Sequence, residues 1–371
     1  MKGTVIIVLA ILLAALIASA QSPVPTSSVK PESDPAKELQ NYFDSLATEN
    51  TLSGVVLVAK DGATIASKAA GIANKVTGAP IDLNTKFNLG SMNKMFTSVA
   101  IAQLAQAGRL SFTDTVGKHL TDYPNREVAD KVTIHQLLTH TSGLGMYWNE
   151  KWAAQREKLL TVAAHLPLFA SDPLAFTPGE KLQYSNSGFM VLGAIVEKAS
   201  GEDYYSYVQE HIFKPAGMSS TGYYEPGKET PNLAVGYTKE GDNDEPLAEP
   251  RDNSNIREIK GGPAGGGYST APDMVKFHRA LFSYKLLDKK HTELVTTGKV
   301  DGPRGSRYAY GFGDFTISGK HIVGHNGGAQ GIAANLDMYP ELGYTAVLLM
   351  NSDPPTMTPI LKGIRERIPA K

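Results

Sequence analysis

Strand-type patterning occurs only towards the two ends of this chain, and that confinement restricts its fold more than any other feature. Gly54–Lys60 and Ala63–Ala70 read as strands divided by Asp61-Gly62, a dipeptide that favours a two-residue hairpin turn. Short β runs return only in 307–349, ahead of a last helical pattern at 357–368. Between them the chain reads as helical segments and loops, beginning with an apolar helix that opens at Ser91 and stops at Gly108. A helix over 35–47, with Leu39, Tyr42, Phe43 and Leu46 at helical spacing, precedes the hairpin. The expected fold is α+β. Both chain ends complete an antiparallel sheet flanked by N- and C-terminal helices, and an α-rich subdomain is inserted between the ends. The sheet region is drawn at 34–90 and 300–371, and the helical insertion at 91–299. No internal repeat is found.

Three short motifs sit at the joints of this layout. Ser91-Met92-Asn93-Lys94 places a hydroxyl and an amine three residues apart on one helical face. A serine hydroxyl needs a neighbour to take its proton before it can attack, and a desolvated lysine can be that neighbour. Tyr184-Ser185-Asn186 follows the Pro178-Gly179 turn and precedes a helix expected over 189–198; a phenol near the amine can relay protons. His325-Asn326-Gly327-Gly328 joins two β runs, and its glycines let a substrate approach the backbone closely.

In this order the motifs resemble those of the serine β-lactamase and penicillin-binding protein family, whose first motif is Ser-x-x-Lys. The middle motif resembles the Tyr-x-Asn of the class C-like branch with its D-peptidase and esterase relatives. Further landmarks fall in family order: Leu137-Leu138-Thr139-His140-Thr141-Ser142-Gly143-Leu144, the Pro178-Gly179-Glu180 turn, Ile212-Phe213-Lys214-Pro215-Ala216-Gly217-Met218, Gly265-Gly266-Gly267-Tyr268 and Tyr310-Gly311-Phe312-Gly313. The resemblance spans 37–367 and implies a β-lactamase/transpeptidase-like fold. It implies that Ser91 attacks an acyl carbonyl to give an acyl-enzyme, and that Lys94 and Tyr184 move its proton, either of them being the formal base. It also implies an oxyanion hole made by the N–H groups of Ser91 and Gly328, the first of which lies at a helix start where the dipole favours negative charge. Asn186 is expected to hold the substrate's amide or ester oxygen; its alternatives are to fix Lys94 or to cap the following helix. His325 stands where relatives carry a lysine that helps to hold a substrate carboxylate. With an ordinary pKa near 6.5, it is expected to make carboxylate recognition weaker or pH-dependent and to disfavour β-lactam hydrolysis.

The rest of the sequence narrows the class. The chain of 371 residues has a formal net charge of −1, which gives nucleic acid no electrostatic foothold. Lys2, the apolar stretch 5–17 and Ala18-Ser19-Ala20 read as a secretory signal cleaved after Ala20, so the expected location is secreted or periplasmic, with no stable membrane anchor. The Pro- and Ser-rich stretch 21–33 reads as a linker and 34–371 as the hydrolase domain. With no cysteine there is no disulfide and no thiol nucleophile. No Gly-x-Ser-x-Gly elbow, His-Glu-x-x-His pair, Walker loop or dinucleotide fingerprint occurs, and neither metal nor cofactor is expected. His140 lacks an accompanying aspartate pattern and reads as a structural hydrogen-bonder. Tyr147, Trp148, Trp152 and Tyr268 are aromatic candidates for a cleft wall.

The leading expectation is an exported serine hydrolase acting on a small ester or a D-amino-acid-containing peptide. The alternatives are a β-lactamase whose physiological substrate is a β-lactam, and a binding module or sensor that acylates without turnover. The oligomeric state is not legible in the sequence.

Overall fold

A computed structural model describes residues 34–370 except 226, 227, 229 and 242–244. The signal segment 1–20 and the linker 21–33 expected from the sequence lie outside the described residues.

The chain starts its fold with helix α1 (Pro35–Thr48). Asp34 caps it by accepting a hydrogen bond from the Ala36 N–H at 3.0 Å, and Pro35 sits at the first helical position, where no N–H is needed. Strands β1 (Gly54–Lys60) and β2 (Ala63–Ala70) follow, joined by Asp61 and Gly62 with φ of 52° and 84°. Both residues lie in the left-handed region, as a tight hairpin turn demands.

The other strands of the main sheet come from the C-terminal part: β3 (Val300–Asp301), β4 (Arg307–Tyr308), β5 (Gly313–Ile317), β6 (Lys320–Ala329), β7 (Ile332–Tyr339) and β8 (Tyr344–Met350). The sheet is antiparallel throughout, in the order β2-β1-β8-β7-β6-β5-β4-β3. The N-terminal hairpin docks on the last strand, with Gly54 opposite Met350 and Lys60 opposite Tyr344. Strand β7 is buried along its whole length, so neither of its faces is solvated.

The two faces of the sheet bury separate cores. On one side Leu39, Phe43 and Leu46 of α1 pack with Ile360, Leu361 and Ile364 of the C-terminal helix, Met357–Arg367. On the other lies the helical subdomain, centred on α2 (Asn93–Gln106) and α3 (Asn186–Ser200). Helix α2 is buried on all sides over its first ten residues, and Phe96 meets Phe213 and Phe277 edge-on, each at 5.0 Å. The stretch 91–299 is not purely helical: it holds a hairpin, Tyr237–Glu240 with Pro246–Asp252. Its helix Ala271–Phe282 packs against β1 and β8, with His278 Nδ1 2.6 Å from Thr345 Oγ1, and so belongs with the sheet layer.

Candidate active site

Ser91 lies in a short 3-10 turn, Gly90–Met92, that leads straight into α2. Three hydrogen bonds clamp this turn, two between backbone groups and one to a side chain. Leu89 N–H donates to Gly267 O at 2.8 Å, Gly266 N–H donates to Gly90 O at 3.3 Å, and Gly90 N–H donates to Asn88 Oδ1 at 2.9 Å. Gly90 has a φ of 49°, and a Cβ there would lie 3.1 Å from both Gly327 Cα and Gly328 N on β6. A Cβ on Gly327 would come within 1.9 Å of Leu89 O. The glycines of the third motif therefore let the nucleophile turn press against the sheet.

Lys94 is fully buried one helical turn beyond Ser91. Its Nζ lies 2.6 Å from Ala264 O, 2.7 Å from Asn186 Oδ1 and 3.3 Å from Ser91 Oγ. Burial pushes the amine well below its ordinary pKa, against a smaller opposing pull from Glu258. The tyrosine ring of Tyr184 lies 4.6 Å below Nζ, measured to its centroid. Burial raises the Tyr184 phenol well above its ordinary pKa, and a hydrogen bond with Ser91 opposes part of that rise. Tyr184 thus faces both groups as a neutral phenol.

Asn186 opens α3, but the cap is Ser185, whose Oγ accepts the Gly188 N–H at 3.0 Å. Asn186 Oδ1 accepts from Lys94, one of the alternatives the sequence left open, and the residue also lines the cavity at Ser91.

His325 corrects an expectation. The Ser185 N–H donates to His140 Nδ1 at 3.0 Å, which leaves the proton of neutral His140 on Nε2, 3.1 Å from Tyr308 Oη. Tyr308 Oη then donates to His325 Nε2 at 3.1 Å, and His325 Nδ1 donates to Asn326 O. The chain of bonds starts at an obligate donor and ends at an obligate acceptor, so each imidazole is held in one neutral tautomer. Burial, then repulsion from Lys94, lowers the His325 pKa to about 4; burial, Lys94 and His325 lower that of His140. His325 is therefore not a titrating substitute for a lysine near neutral pH. A pH-dependent grip on carboxylates in that range does not follow from this residue.

The site residues divide between two cavities. One, of about 320 Å³, is lined by Ser91, Asn186 and Gly328, together with Tyr147, Trp148 and Trp152. The other, of about 540 Å³, is lined by Tyr184 and His325 with His140 and Tyr308. Gly327 lines neither and serves the packing against the Ser91 turn. Tyr268 lies away from the nucleophile's cavity, buried beside Gly222, where its N–H and carbonyl pair. Three participants carried no sequence signal: the Ala264 carbonyl, Tyr308, and Glu258, which lines the first cavity.

A model of the β-lactamase family matches residues 39–368. This chain belongs to the β-lactamase family. As a β-lactamase-family member it is a serine hydrolase, with relatives named as penicillin-binding proteins. The putative penicillin-binding protein PbpX of Bacillus subtilis (strain 168) is 30% identical over 319 residues, covering 86% of this chain and 74% of that protein. The crystal structure of a penicillin-binding protein from Bacillus halodurans aligns with a TM-score of 0.77 at 31% identity, covering 86% of this family member and 98% of that one. A D-stereospecific amidohydrolase from Streptomyces sp. aligns with a TM-score of 0.69 at 25% identity, over 86% and 94% of the two chains.

Proposed function

We propose that this chain hydrolyses a small ester, or an amide or short peptide containing a D-amino acid, through an acyl-enzyme on Ser91. The hydrolase domain is 34–371, exported by a signal segment cleaved after Ala20. Among the described residues no helix is long and apolar enough to cross a membrane. The named relatives and the Streptomyces amidohydrolase support this substrate range.

One observation carries the reading: the three contacts of Lys94 Nζ. Ala264 O accepts only, and Asn186 Oδ1 accepts only, so a neutral amine spends both of its N–H groups on them. Its lone pair then faces Ser91 Oγ at 3.3 Å, where it takes the hydroxyl proton. Lys94 is the base in this scheme, because Tyr184 keeps its proton over the working pH range. Ser91 Oγ bonds to the acyl carbon, and the N–H groups of Ser91 and Gly328 hold the resulting oxyanion. The ammonium, relayed by the Tyr184 phenol, returns the proton to the leaving alcohol or amine as its bond to the acyl carbon breaks. Water then attacks the ester by the same route in reverse, and Ser91 leaves protonated.

A β-lactam as physiological substrate is less well supported. Its carboxylate would meet a neutral imidazole where relatives carry a lysine. The test is a panel of nitrophenyl esters, D-Ala-D-Ala peptides and a chromogenic cephalosporin, run under steady-state and burst conditions. Multiple turnovers on esters or D-peptides above the cephalosporin rate are expected. One stoichiometric burst with no turnover would favour the sensor reading, and a cephalosporin preference would favour the β-lactamase reading.

A further inference from the structure

The cavity at Ser91 contains a charge that the acyl transfer scheme does not use. Glu258 Oε1 accepts hydrogen bonds from Tyr147 Oη and, at 3.2 Å, from Trp148 Nε1. Both donors are neutral, so they hold the carboxylate in place without cancelling its charge. Its negative field acts on the surroundings: it adds to the rise that burial imposes on the pKa of Tyr147 and Tyr205, and it opposes in part the lowering that burial imposes on Lys94. Among the described residues no lysine, arginine or histidine forms an ion pair with it. Arg257, which also lines the cavity, gives its Nη1 to the main-chain oxygen of Glu258 at 3.1 Å.

The second oxygen lies close to Gly266, which lines the same cavity. A Cβ on Gly266 would lie 3.0 Å from Glu258 Oε2, and a Cβ on its neighbour Gly265 would lie 3.6 Å from Ser91 N. Ser91, Gly265, Gly266 and Glu258 line the same cavity, so the carboxylate and the nucleophile face a common space that an acyl group can span. The wall above it is aromatic. Tyr147 and Trp148 lie 5.9 Å apart between ring centroids, and Trp148 and Trp152 lie 6.5 Å apart. A carboxylate without a cation, in a cavity lined by aromatic rings, is a setting that selects a cation.

We propose that the acyl pocket of Ser91 takes an acyl group bearing a primary ammonium, seated between the Glu258 carboxylate and the rings of Tyr147, Trp148 and Trp152. This rests on the acyl-enzyme reading for its catalytic consequence but not for its binding consequence, so the two are tested apart. Binding is read by calorimetry on Ser91→Ala, with each enantiomer of phenylalaninamide compared with its 2-methyl-3-phenylpropanamide counterpart, which carries methyl in place of ammonium. At least one ammonium ligand should bind ten-fold or more tightly than its counterpart, and Glu258→Gln in the same background should remove most of that preference. Equal or weaker binding of both ammonium ligands would overturn the proposal, whatever the enzyme turns over. If Glu258→Gln does not fold, the comparison in Ser91→Ala alone still decides.

Catalysis is read on the wild-type chain with p-nitrophenyl 6-aminohexanoate against p-nitrophenyl heptanoate, and with phenylalanine p-nitroanilides against their methyl isosteres. The kcat/KM ratio within at least one pair should exceed ten and should fall about ten-fold in Glu258→Gln. Turnover that favours the neutral member of every pair, or a ratio unmoved by Glu258→Gln, would overturn the cationic pocket while leaving the hydrolase reading intact. Ammonium-selective binding with no turnover of any substrate would do the reverse.

Discussion

Lys94 Nζ lies 2.7 Å from Asn186 Oδ1 and 3.3 Å from Ser91 Oγ, so the amide, rather than the nucleophile, is the amine's close side-chain partner. Burial lowers the pKa of Lys94, and Asn186 is the side chain placed to alter it by substitution. Replacing the amide by a carboxylate puts a full negative charge beside the amine and favours the ammonium. In Asn186→Asp the folded pKa of Lys94 rises, a larger share is protonated at a given pH, and the acid limb of kcat/KM moves to higher pH. A shift of at least one unit is expected, with activity at pH 7 falling and partly returning on the alkaline side. An unmoved limb would show that Asn186 does not set the state of Lys94.

Tyr308 makes a second such test, because its hydroxyl donates to His325 Nε2 and so favours the neutral ring. The wild-type imidazole should stay neutral from pH 8 down to pH 5, since its pKa is held to about 4. Tyr308→Phe removes the donor and leaves the lone pair free, so the pKa moves up towards its ordinary value. Imidazole chemical shifts followed by NMR titration check both points. A wild-type midpoint near 6.5 would break the bond order drawn from Ser185 to Asn326.

The glycines of the third motif should differ sharply. Gly327→Ala places its Cβ 1.9 Å from Leu89 O and 3.1 Å from Ser91 N, against backbone that cannot step aside without moving the nucleophile turn. Stability should fall by about 1–3 kcal/mol, the usual cost of overpacking. Activity should fall by about 10²-fold or more through the displaced oxyanion donors. In Gly328→Ala the Cβ meets Pro354 Cγ at 3.0 Å, the edge of a ring, and the loss should be smaller in both respects. Melting temperature and kcat for the two variants give the comparison.

Local chemistry made much of the fold legible in advance. The strands Gly54–Lys60 and Ala63–Ala70 match their expected bounds because Asp61-Gly62 fixes the turn, although the register shifts once beyond it, between Val58 and Ala59. Helix α3 begins at Asn186 rather than 189 because Ser185 caps it, a signal hidden inside a motif read for chemistry. The hairpin Tyr237–Glu240 and Pro246–Asp252 went unread because its strands are largely polar and exposed, without a buried face to impose alternation. Within the site, Ser91, Lys94, Tyr184 and Asn186 were visible through their spacing. Glu258 and Tyr308 were not, because each acts through partners more than a hundred or a dozen residues away that only tertiary structure supplies. His325 was visible as a residue type, but its protonation follows from burial, from the charge of Lys94 and from the bond made by Tyr308.

The claim that Ser91 is the nucleophile and Lys94 its base is tested most directly by covalent labelling with a fluorophosphonate, read by intact mass and peptide mapping. One adduct per chain is predicted, on the peptide carrying Ser91. It should be absent in Ser91→Ala and should form about 10²-fold more slowly in Lys94→Ala, the scale of a positioned proton acceptor. An adduct on another serine, or labelling that persists in Ser91→Ala at the wild-type rate, would contradict it.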